Sequence, residues 1–211
     1  RTCPASGSEP TAIPSPPSGN GSGGRSALTP RLVLRRAGRI DPEALDEFLA
    51  LEGYVALRRA VTELSPAAVI DSIEKAGLRG RGGAGFETAR KWHIAAGTPA
   101  AERYVIANAF GADPTACGDR TLLESDPHAV LEGLAIAAYA VGASRAFVYC
   151  CLDHTVAVQR ISQAVRQAEE RGFLGSGVLG TPFDCHVSVV TAPAGFAVGE
   201  ETAAIALIEG Q

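Results

Sequence analysis

The chain has 211 residues, of which 46% are hydrophobic and 20% are charged, which excludes a disordered or fibrous protein and allows one α/β domain with a substantial core. A formal net charge of -4 provides no cationic field for a polyanion, so we expect no nucleic acid among its partners. Apolar stretches such as 134–141 fall far short of the roughly 20 residues that span a bilayer, and the sequence predicts a cytoplasmic protein without direct membrane insertion.

Five cysteines are scattered along the chain without a C-x-x-C pair, at Cys3, Cys117, Cys150, Cys151 and Cys185. This pattern predicts reduced thiols, with neither a disulfide framework nor a zinc or iron–sulfur site. The chain begins with arginine and ends directly after an apolar helical pattern, and we therefore expect it to be a piece of a longer protein.

The first part of the chain divides by composition. Residues 1–30 are rich in Pro, Ser and Gly and offer almost nothing apolar to bury, so they predict a disordered linker. Residues 31–78 predict a short helical region, which opens with a strand at 32–34. Within it, Asp-Pro-Glu at 41–43 is typical of a helix start, and a further helix is expected over 65–77.

Residues 79–211 alternate between short β-prone runs and helical patterns. Strands are predicted over residues 104–107, 146–151 and 187–191. Helices are predicted over residues 127–141 and 156–168, and a last helix is predicted to begin near Glu201. This alternation is typical of an α/β fold, a Rossmann-like parallel sheet with flanking helices. Such a sheet binds ligands at the carboxyl ends of its strands, where the unusual loops of this chain fall.

The first unusual segment is a glycine-rich loop that reads GLRGRGGAGF over residues 77–86. It comes directly before a helical pattern that contains Arg90 and Lys91. Glycines let backbone N–H groups approach an anion without an obstructing Cβ, and a following helix N-terminus adds its dipole, so the arrangement favours a phosphate site. A tight connection that binds no ligand is the alternative, because a glycine-rich loop alone is weak evidence.

Two further loops follow predicted strands. Residues 108–120 read NAFGADPTACGDR and indicate either a ligand-binding edge or a surface turn. The segment 199–202 reads GEET and follows the strand predicted over 187–191. Paired carboxylates at a helix start are typical of a cap, and the functional alternative is a carboxylate directed at a ribose or a nicotinamide amide.

In this order, the segments resemble the family of NADH-oxidising flavoprotein subunits shared by respiratory complex I, NAD(P)-reducing hydrogenases and NAD-dependent formate dehydrogenases. The resemblance covers about residues 33–210. It rests on RIDPEALDEFLALEGYVAL (39–57), GLRGRGGAGF with Lys91-Trp92, DRTLLESDPHAVLEGLAIAAYAVGAS (119–144) and GEET. The first of these is more similar to the hydrogenase and formate dehydrogenase branches than to complex I.

The resemblance implies a domain that holds FMN at the strand ends. By position, Gly80 and Gly82 would approach the FMN phosphate, with Arg81 and Gly83 in the same loop. Lys91 would pair with the phosphate. Hydride passes from nicotinamide C4 to flavin N5 without a protein base, so the resemblance implies cofactor-binding residues and no catalytic acid or base.

The same resemblance implies NAD(H) stacked above the flavin. Asn108 would contact the flavin, and Phe86 would help to stack the nucleotide. Gly199, Glu200 and Glu201 would line the flavin and the nicotinamide.

One loop departs from the family pattern. After Asn-Ala the family has Asp-Glu-Gly-Glu-Pro, whereas residues 110–114 are Phe-Gly-Ala-Asp-Pro. Two of three carboxylates are therefore absent, and the third is shortened to Asp113, which we retain as a cofactor-binding residue. We expect FMN to bind less tightly than with the acidic loop, unless Phe110 compensates by stacking.

The expected function is that of a fragment of an FMN-dependent NADH dehydrogenase (diaphorase), which accepts hydride from NAD(P)H onto FMN for transfer to iron–sulfur clusters. The expected partners are iron–sulfur subunits of a hydrogenase, formate dehydrogenase or complex I-like assembly. A [4Fe-4S] cluster is expected only in a C-terminal part beyond residue 211. The alternative is a non-catalytic scaffold subunit that has lost flavin binding, and the choice between NAD and NADP stays open.

Overall fold

The computed structural model describes residues 32–81, 83–112 and 117–210. This part of the chain contains, in order, α1 (Leu45–Ala50), α2 (Val55–Glu63), α3 (Pro66–Lys75), α4 (Thr88–Gly97), β1 (Tyr104–Ala109), α5 (Gly118–Ser125), α6 (Pro127–Val141), β2 (Arg145–Cys151), α7 (Thr155–Glu170), β3 (His186–Ala192) and α8 (Glu201–Ile208). Short 3-10 turns cover Val178–Gly180 and Ala197–Gly199. Within these ranges no helix combines the length and the apolar character needed to cross a membrane.

The three described strands form a parallel sheet in the order β1-β2-β3, so β2 is central. In register, Asn108 of β1 lies beside Tyr149 of β2, and Tyr149 lies beside Val190 of β3. Successive residues of a strand point to opposite faces of the sheet. Accordingly, Val148 belongs to a core cluster with α6 and α7, whereas Tyr149 belongs to one with α8. Helices pack on both faces, and the Rossmann-like α/β fold class is confirmed.

Helix α6 is the central element of the core. Nine of its 15 residues are buried, and four of these nine are alanines. It contacts α2, α3, α4, α5, α7, β1 and β2. Small alanine side chains let these neighbours approach closely, which gives the dense packing typical of protein interiors.

Polar side chains attach the N-terminal part of the chain to the start of α6, and the contacts of Asp126 and His128 are buried. Arg36 Nε donates a hydrogen bond to Asp126 Oδ2 over 2.8 Å, and both side chains are less than a tenth exposed. Tyr54 Oη lies 3.1 Å from His128 Nδ1. Glu132 Oε1 accepts two backbone N–H groups at the start of α2, at 3.1 and 3.2 Å. Because the N-cap residue of α2 provides no side-chain hydrogen bond, Glu132 satisfies donors that the helix itself leaves unpaired.

Most elements predicted in the second half of the chain are confirmed. The helix expected over 127–141 is α6 with the same bounds, and the final helix begins at Glu201 as predicted. The strands expected over 104–107, 146–151 and 187–191 are β1, β2 and β3, each one or two residues longer than predicted. Strong apolar periodicity is local information, which explains why these elements were predictable.

Two predictions near the N-terminus are wrong. Residues 32–34 form bends and turns instead of a strand, and Leu32 and Val33 are 79% and 64% exposed, with no strand beside them in the described chain. The first helix begins at Leu45, later than the start predicted at 41–43. The Asp41 side chain accepts the Glu43 N–H at 2.9 Å, and this local turn competes with the helix.

Helix α5 corrects the loop expected over 108–120. Gly118, Asp119 and Arg120 begin this helix. An Arg120–Glu124 ion pair at 2.7 Å, one helical turn apart, and the buried Leu123 stabilise it. Its apolar signal is short, and the preceding Gly and Pro residues concealed it.

The domain boundaries at 30 and 78 stay predictions. The linker expected over 1–30 lies outside the described residues. Leu45 of α1 and Leu57 of α2 belong to the same core cluster as Leu131 of α6, so the N-terminal helices share apolar packing with the sheet-bearing part.

Removing Asp126 is expected to destabilise the protein strongly, because Arg36 would become a buried charge without its partner. Asp126→Ala should lower the free energy of unfolding by about 3–5 kcal/mol. Glu63→Ala is the matched control, because it breaks the Arg59–Glu63 pair, whose side chains are 69% and 65% exposed, and it should cost less than about 1 kcal/mol. Urea unfolding measures both, and equal losses would contradict the prediction.

Burial of His128 is expected to make stability depend on pH. Burial lowers the pKa of His128 below its ordinary value of 6.5, although its hydrogen bond with Gln167 and the charge of Asp126 oppose the shift. The unfolded chain then binds more protons than the folded chain just below about pH 6.5, so stability should be full above this pH and fall as the pH drops through the lowered pKa. Urea unfolding at several pH values should show a smaller fall in His128→Gln than in the wild type; equal slopes would assign the pH dependence to other groups.

Candidate functional site

The glycine-rich segment forms a closed loop. The Gly80 N–H donates to Phe86 O at 2.8 Å, and the Thr88 N–H donates to Leu78 O at 3.0 Å. The Arg79 side chain also spans the two ends of the loop, with Nη2 2.7 Å from Glu87 Oε1 and Nη1 3.0 Å from the Gly85 carbonyl oxygen. The loop therefore directly precedes the N-terminus of α4, and backbone hydrogen bonds join its two ends.

Glycine is required inside this loop. Gly83 and Gly85 have φ values of +115° and +60°, which L side chains rarely adopt. A Cβ at Gly80 would meet only ordinary contacts, the nearest at 3.7 Å to Phe86 O. Arg81 is exposed. Gly82 lies outside the described residues.

Two cations of α4 lie next to the end of the loop. Arg90 Cζ is 5.5 Å and Lys91 Nζ is 5.9 Å from the ring centre of Phe86, which is 40% exposed. No side chain caps the N-terminus of this ten-residue helix. The Thr88 N–H is already bonded to Leu78 O, so the helix dipole, the next N–H groups of the first turn and two cationic side chains are what favour an anion here.

The two carboxylates of the GEET segment have different contacts. Glu200 is the N-cap of α8 and accepts the N–H groups of Thr202 and Ala203 at 3.0 and 3.4 Å. The hydrogen bond from the Thr202 hydroxyl is the main cause that lowers the pKa of Glu200. Glu201 Oε1 lies 3.8 Å from Lys91 Nζ. The cap interpretation is therefore confirmed for Glu200, and Glu201 is the carboxylate that faces α4.

Asn108 connects the end of β1 to the GEET segment. Its Nδ2 donates to Gly199 O at 2.9 Å, and its Oδ1 accepts the Phe110 N–H at 3.2 Å. Together with the Lys91–Glu201 pair, this bond brings three segments that are far apart in sequence to one place at the sheet edge.

Phe110 does not offer its ring to a ligand. It is only 2% exposed, and it stacks on Tyr149 with ring centres 5.4 Å apart and planes 19° apart. The ring faces the core, so the exception of compensation by Phe110 stacking on the flavin has no support in this arrangement, and weaker FMN binding stays the prediction. Gly111 has a φ of +63°, so a glutamate there would be strained as well as charged. Asp113 lies outside the described residues.

The structure places three pairs of predicted site residues in contact. These pairs are Phe86 with Lys91, Lys91 with Glu201, and Asn108 with Gly199. Within the described ranges, Arg81 has no hydrogen bond or ion pair to any of these residues. Tyr149 was not among the predicted residues, and its hydroxyl donates to Val198 O at 2.9 Å. A tyrosine inside an apolar strand needs a partner for its hydroxyl, and this signal could have found it.

A second residue that the sequence analysis missed is Phe196, which is 83% exposed and lies shortly before the GEET segment. A single exposed apolar side chain is common on protein surfaces, so the position of Phe196 beside this segment is its one link to the site. By contrast, the thiols of Cys150 and Cys185 are buried, and burial raises the pKa of each to about 12, so they pack as small apolar side chains.

Comparison with known proteins decides the family. A family model described as the Nuo51 FMN-binding domain matches residues 73–211. The chain belongs to this family. The resemblance inferred from its motifs is thereby confirmed.

Individual relatives agree with this assignment. The NADP-reducing hydrogenase subunit HndC of Solidesulfovibrio fructosivorans is 43% identical over 181 residues, which cover 86% of this chain and 36% of the relative. The F subunit of the NADH-quinone oxidoreductase of Aquifex aeolicus (strain VF5) is 39% identical over 183 residues, which cover 87% of this chain and 42% of the relative. Both are subunits of oxidoreductases.

A solved structure shares the fold. The crystal structure of an NAD+-reducing [NiFe]-hydrogenase in the H2-reduced state matches with a TM-score of 0.67 and 27% identity, over 85% of this chain and 28% of that chain. The chain therefore spans less than half of the length of each of these relatives.

Gly199 has no room for a side chain. A Cβ there would lie 2.6 Å from Ala112 Cβ and 2.9 Å from Phe110 Cδ1. Gly199→Ala should lower the free energy of unfolding by about 1–3 kcal/mol through overpacking, and a second change, Ala112→Gly, should restore part of the loss. Gly133→Ala is the control, because its Cβ would meet nothing within 4 Å in helix α6, and it should stabilise by roughly 0.5–1 kcal/mol. Thermal or urea unfolding measures all three, and a neutral Gly199→Ala would disprove the packing argument.

Proposed function

We propose that this chain binds FMN at the carboxyl edge of its sheet and serves as the NAD(P)H-oxidising, diaphorase part of a larger oxidoreductase. The observation that carries the proposal is the convergence of the glycine-rich loop, the end of β1 and the GEET segment through Lys91–Glu201 and Asn108–Gly199. Membership of the FMN-binding family supports it.

The donor set fits a flavin phosphate. The loop between Gly80 and Phe86 presents backbone without Cβ atoms at its glycines, and the uncapped N-terminus of α4 lies directly behind it. Arg90 and Lys91 add positive charge at the same end. Gly82 and Arg81, in the same loop, are proposed as further contacts.

Lys91 can exchange its present partner for a phosphate at low cost. The Lys91–Glu201 distance is 3.8 Å, and the side chains are 62% and 82% exposed. An exposed pair of this kind contributes less than about 1 kcal/mol. A charge-assisted hydrogen bond to phosphate is stronger, so the geometry favours ligand over Glu201.

The remaining site residues would position FMN and the nicotinamide and would not take part in hydride transfer themselves. FMN, when bound, supplies the acceptor for a hydride from the nicotinamide. Asn108 has a second Nδ2 hydrogen to offer, Phe86 and Phe196 expose aromatic surface for a stacked ring, and Glu201 is a carboxylate for a ribose hydroxyl or a nicotinamide amide. Gly199, Glu200, Gly83 and Asp113 are proposed as lining residues.

Electron transfer from FMN onward is proposed to need iron–sulfur clusters that lie outside residues 1–211. The relatives are named as subunits, and iron–sulfur partner subunits are the proposed acceptors. A [4Fe-4S] cluster is proposed beyond residue 211, and the location is proposed to be cytoplasmic. The names of relatives include both NADP-reducing and NAD+-reducing enzymes, so either dinucleotide is compatible with the proposal.

Lys91→Ala is expected to weaken FMN binding, because it removes the lysine proposed to pair with the phosphate. A hydrogen bond that involves a charged group contributes about 1.5–3 kcal/mol, so the dissociation constant should rise roughly 10- to 150-fold. Titration of the chain by flavin fluorescence measures it, and NADH-dependent bleaching of the bound flavin tests the diaphorase reaction.

Lys75→Ala is the matched control for charge. Lys75 is the other lysine of the chain, and it is exposed at the end of α3. Its removal should leave FMN binding unchanged. Equal affinities of wild type and Lys91→Ala would remove Lys91 from the site, and a wild type that binds no FMN would favour the non-catalytic scaffold.

A further inference from the structure

Two side chains of neighbouring strands hold two consecutive carbonyl groups. Tyr149, fully buried in the central strand β2, donates its hydroxyl to Val198 O at 2.9 Å. Asn108, its register partner on β1, donates Nδ2 to Gly199 O at 2.9 Å. Register partners of a parallel sheet point to the same face, so the two donors stand side by side under one turn.

We propose that Tyr149 is a positioning residue of the flavin site, which together with Asn108 clamps the Val198–Gly199 turn to the sheet and so fixes the start of α8. The inference rests on the proposed function, in which the GEET segment lines the flavin. Tyr149 is buried and does not reach a ligand, so it acts through the turn.

Two hydrogen bonds restrict the orientation of the turn more than one hydrogen bond does. A turn held by a single hydrogen bond can still rotate about that bond, whereas bonds to consecutive carbonyls fix the orientation of both peptide planes, since each peptide unit is planar. The donors are themselves rigid. β2 is paired on both sides, and the Tyr149 ring is stacked on Phe110 with planes 19° apart.

Packing also restricts the turn. A Cβ built on Gly199 would come within 2.9 Å of Phe110 and 2.6 Å of Ala112, so the glycine backbone already lies against side chains of the loop after β1. The hydrogen bond from Asn108 and this close contact act on the same residue. The position of the turn is therefore determined by β1, β2 and the loop after β1.

The clamped turn leads directly into the candidate site. The Glu200 N–H donates to Ala197 O at 3.2 Å, and the Glu200 side chain caps α8. The next residue, Glu201, faces Lys91 at 3.8 Å. Release of Val198 would therefore loosen the first turn of α8 and the spacing between Glu201 and Lys91.

The test compares Tyr149→Phe with Tyr139→Phe in the 211-residue chain. Both variants keep the ring and remove one tyrosine–carbonyl hydrogen bond, because Tyr139 Oη donates to Leu64 O at 2.7 Å. Leu64 is the C-cap of α2 and lies outside the candidate site. The two variants should therefore shift the urea midpoint by similar amounts.

Only Tyr149→Phe should affect the site. Amide hydrogen exchange of residues 198–202, measured without ligand, should accelerate about three- to tenfold, and the FMN dissociation constant should rise by a similar factor, which corresponds to the loss of one hydrogen bond. Tyr139→Phe should change neither quantity.

Three outcomes would overturn the proposal. Equal effects of the two variants on hydrogen exchange of residues 198–202 and on FMN affinity would reduce Tyr149 to a structural residue. Unchanged FMN affinity in Tyr149→Phe, with normal binding by the wild type, would overturn the positioning role alone. Absence of FMN binding by the wild type would overturn the proposed function and this role together.

Discussion

The close packing of α6 is the constraint on which the rest of the described structure depends. This helix touches both the N-terminal helices and the sheet, and its alanines permit short distances to all of them. Polar side chains at or near its start then fix the orientation of the N-terminal part, Asp126 and His128 through buried hydrogen bonds and Glu132 through more exposed ones. Apolar packing alone would allow these helices to slide, whereas a buried hydrogen bond has one favourable geometry.

The candidate site follows from the parallel arrangement of the strands. Parallel strands bring their carboxyl ends to one edge, so loops separated by about 90 residues meet there, as in the Asn108–Gly199 bond. The sheet contributes more than proximity. Tyr149 of the central strand and Asn108 of the neighbouring strand donate hydrogen bonds to the Val198–Gly199 turn, so the sheet holds this turn in place.

The two neighbouring glutamates of the GEET segment have different contacts. Glu200 caps the N-terminus of α8, where the hydrogen bond from the Thr202 hydroxyl, followed by the backbone N–H groups of the first turn, favours its ionised form and lowers its pKa. Among the described residues, the Glu201 carboxylate has one long, exposed contact, with Lys91. The first carboxylate therefore caps a helix and the second lies exposed beside a lysine, although the sequence presents them as equivalent neighbours.

The sequence by itself determined the family, the α/β class and the elements with strong periodicity. Helix α6 was predictable to its ends because Pro127 opens it and Gly142, with φ +73°, closes it, and both signals are local. The segments of the candidate site were found for the same reason. Tertiary structure decided the rest: that residues 32–34 have no strand partner, that Phe110 turns into the core against Tyr149, and that Glu200 and Glu201 have different tasks. These outcomes depend on which distant side chain lies opposite a residue after packing, and a local pattern contains no information about that partner.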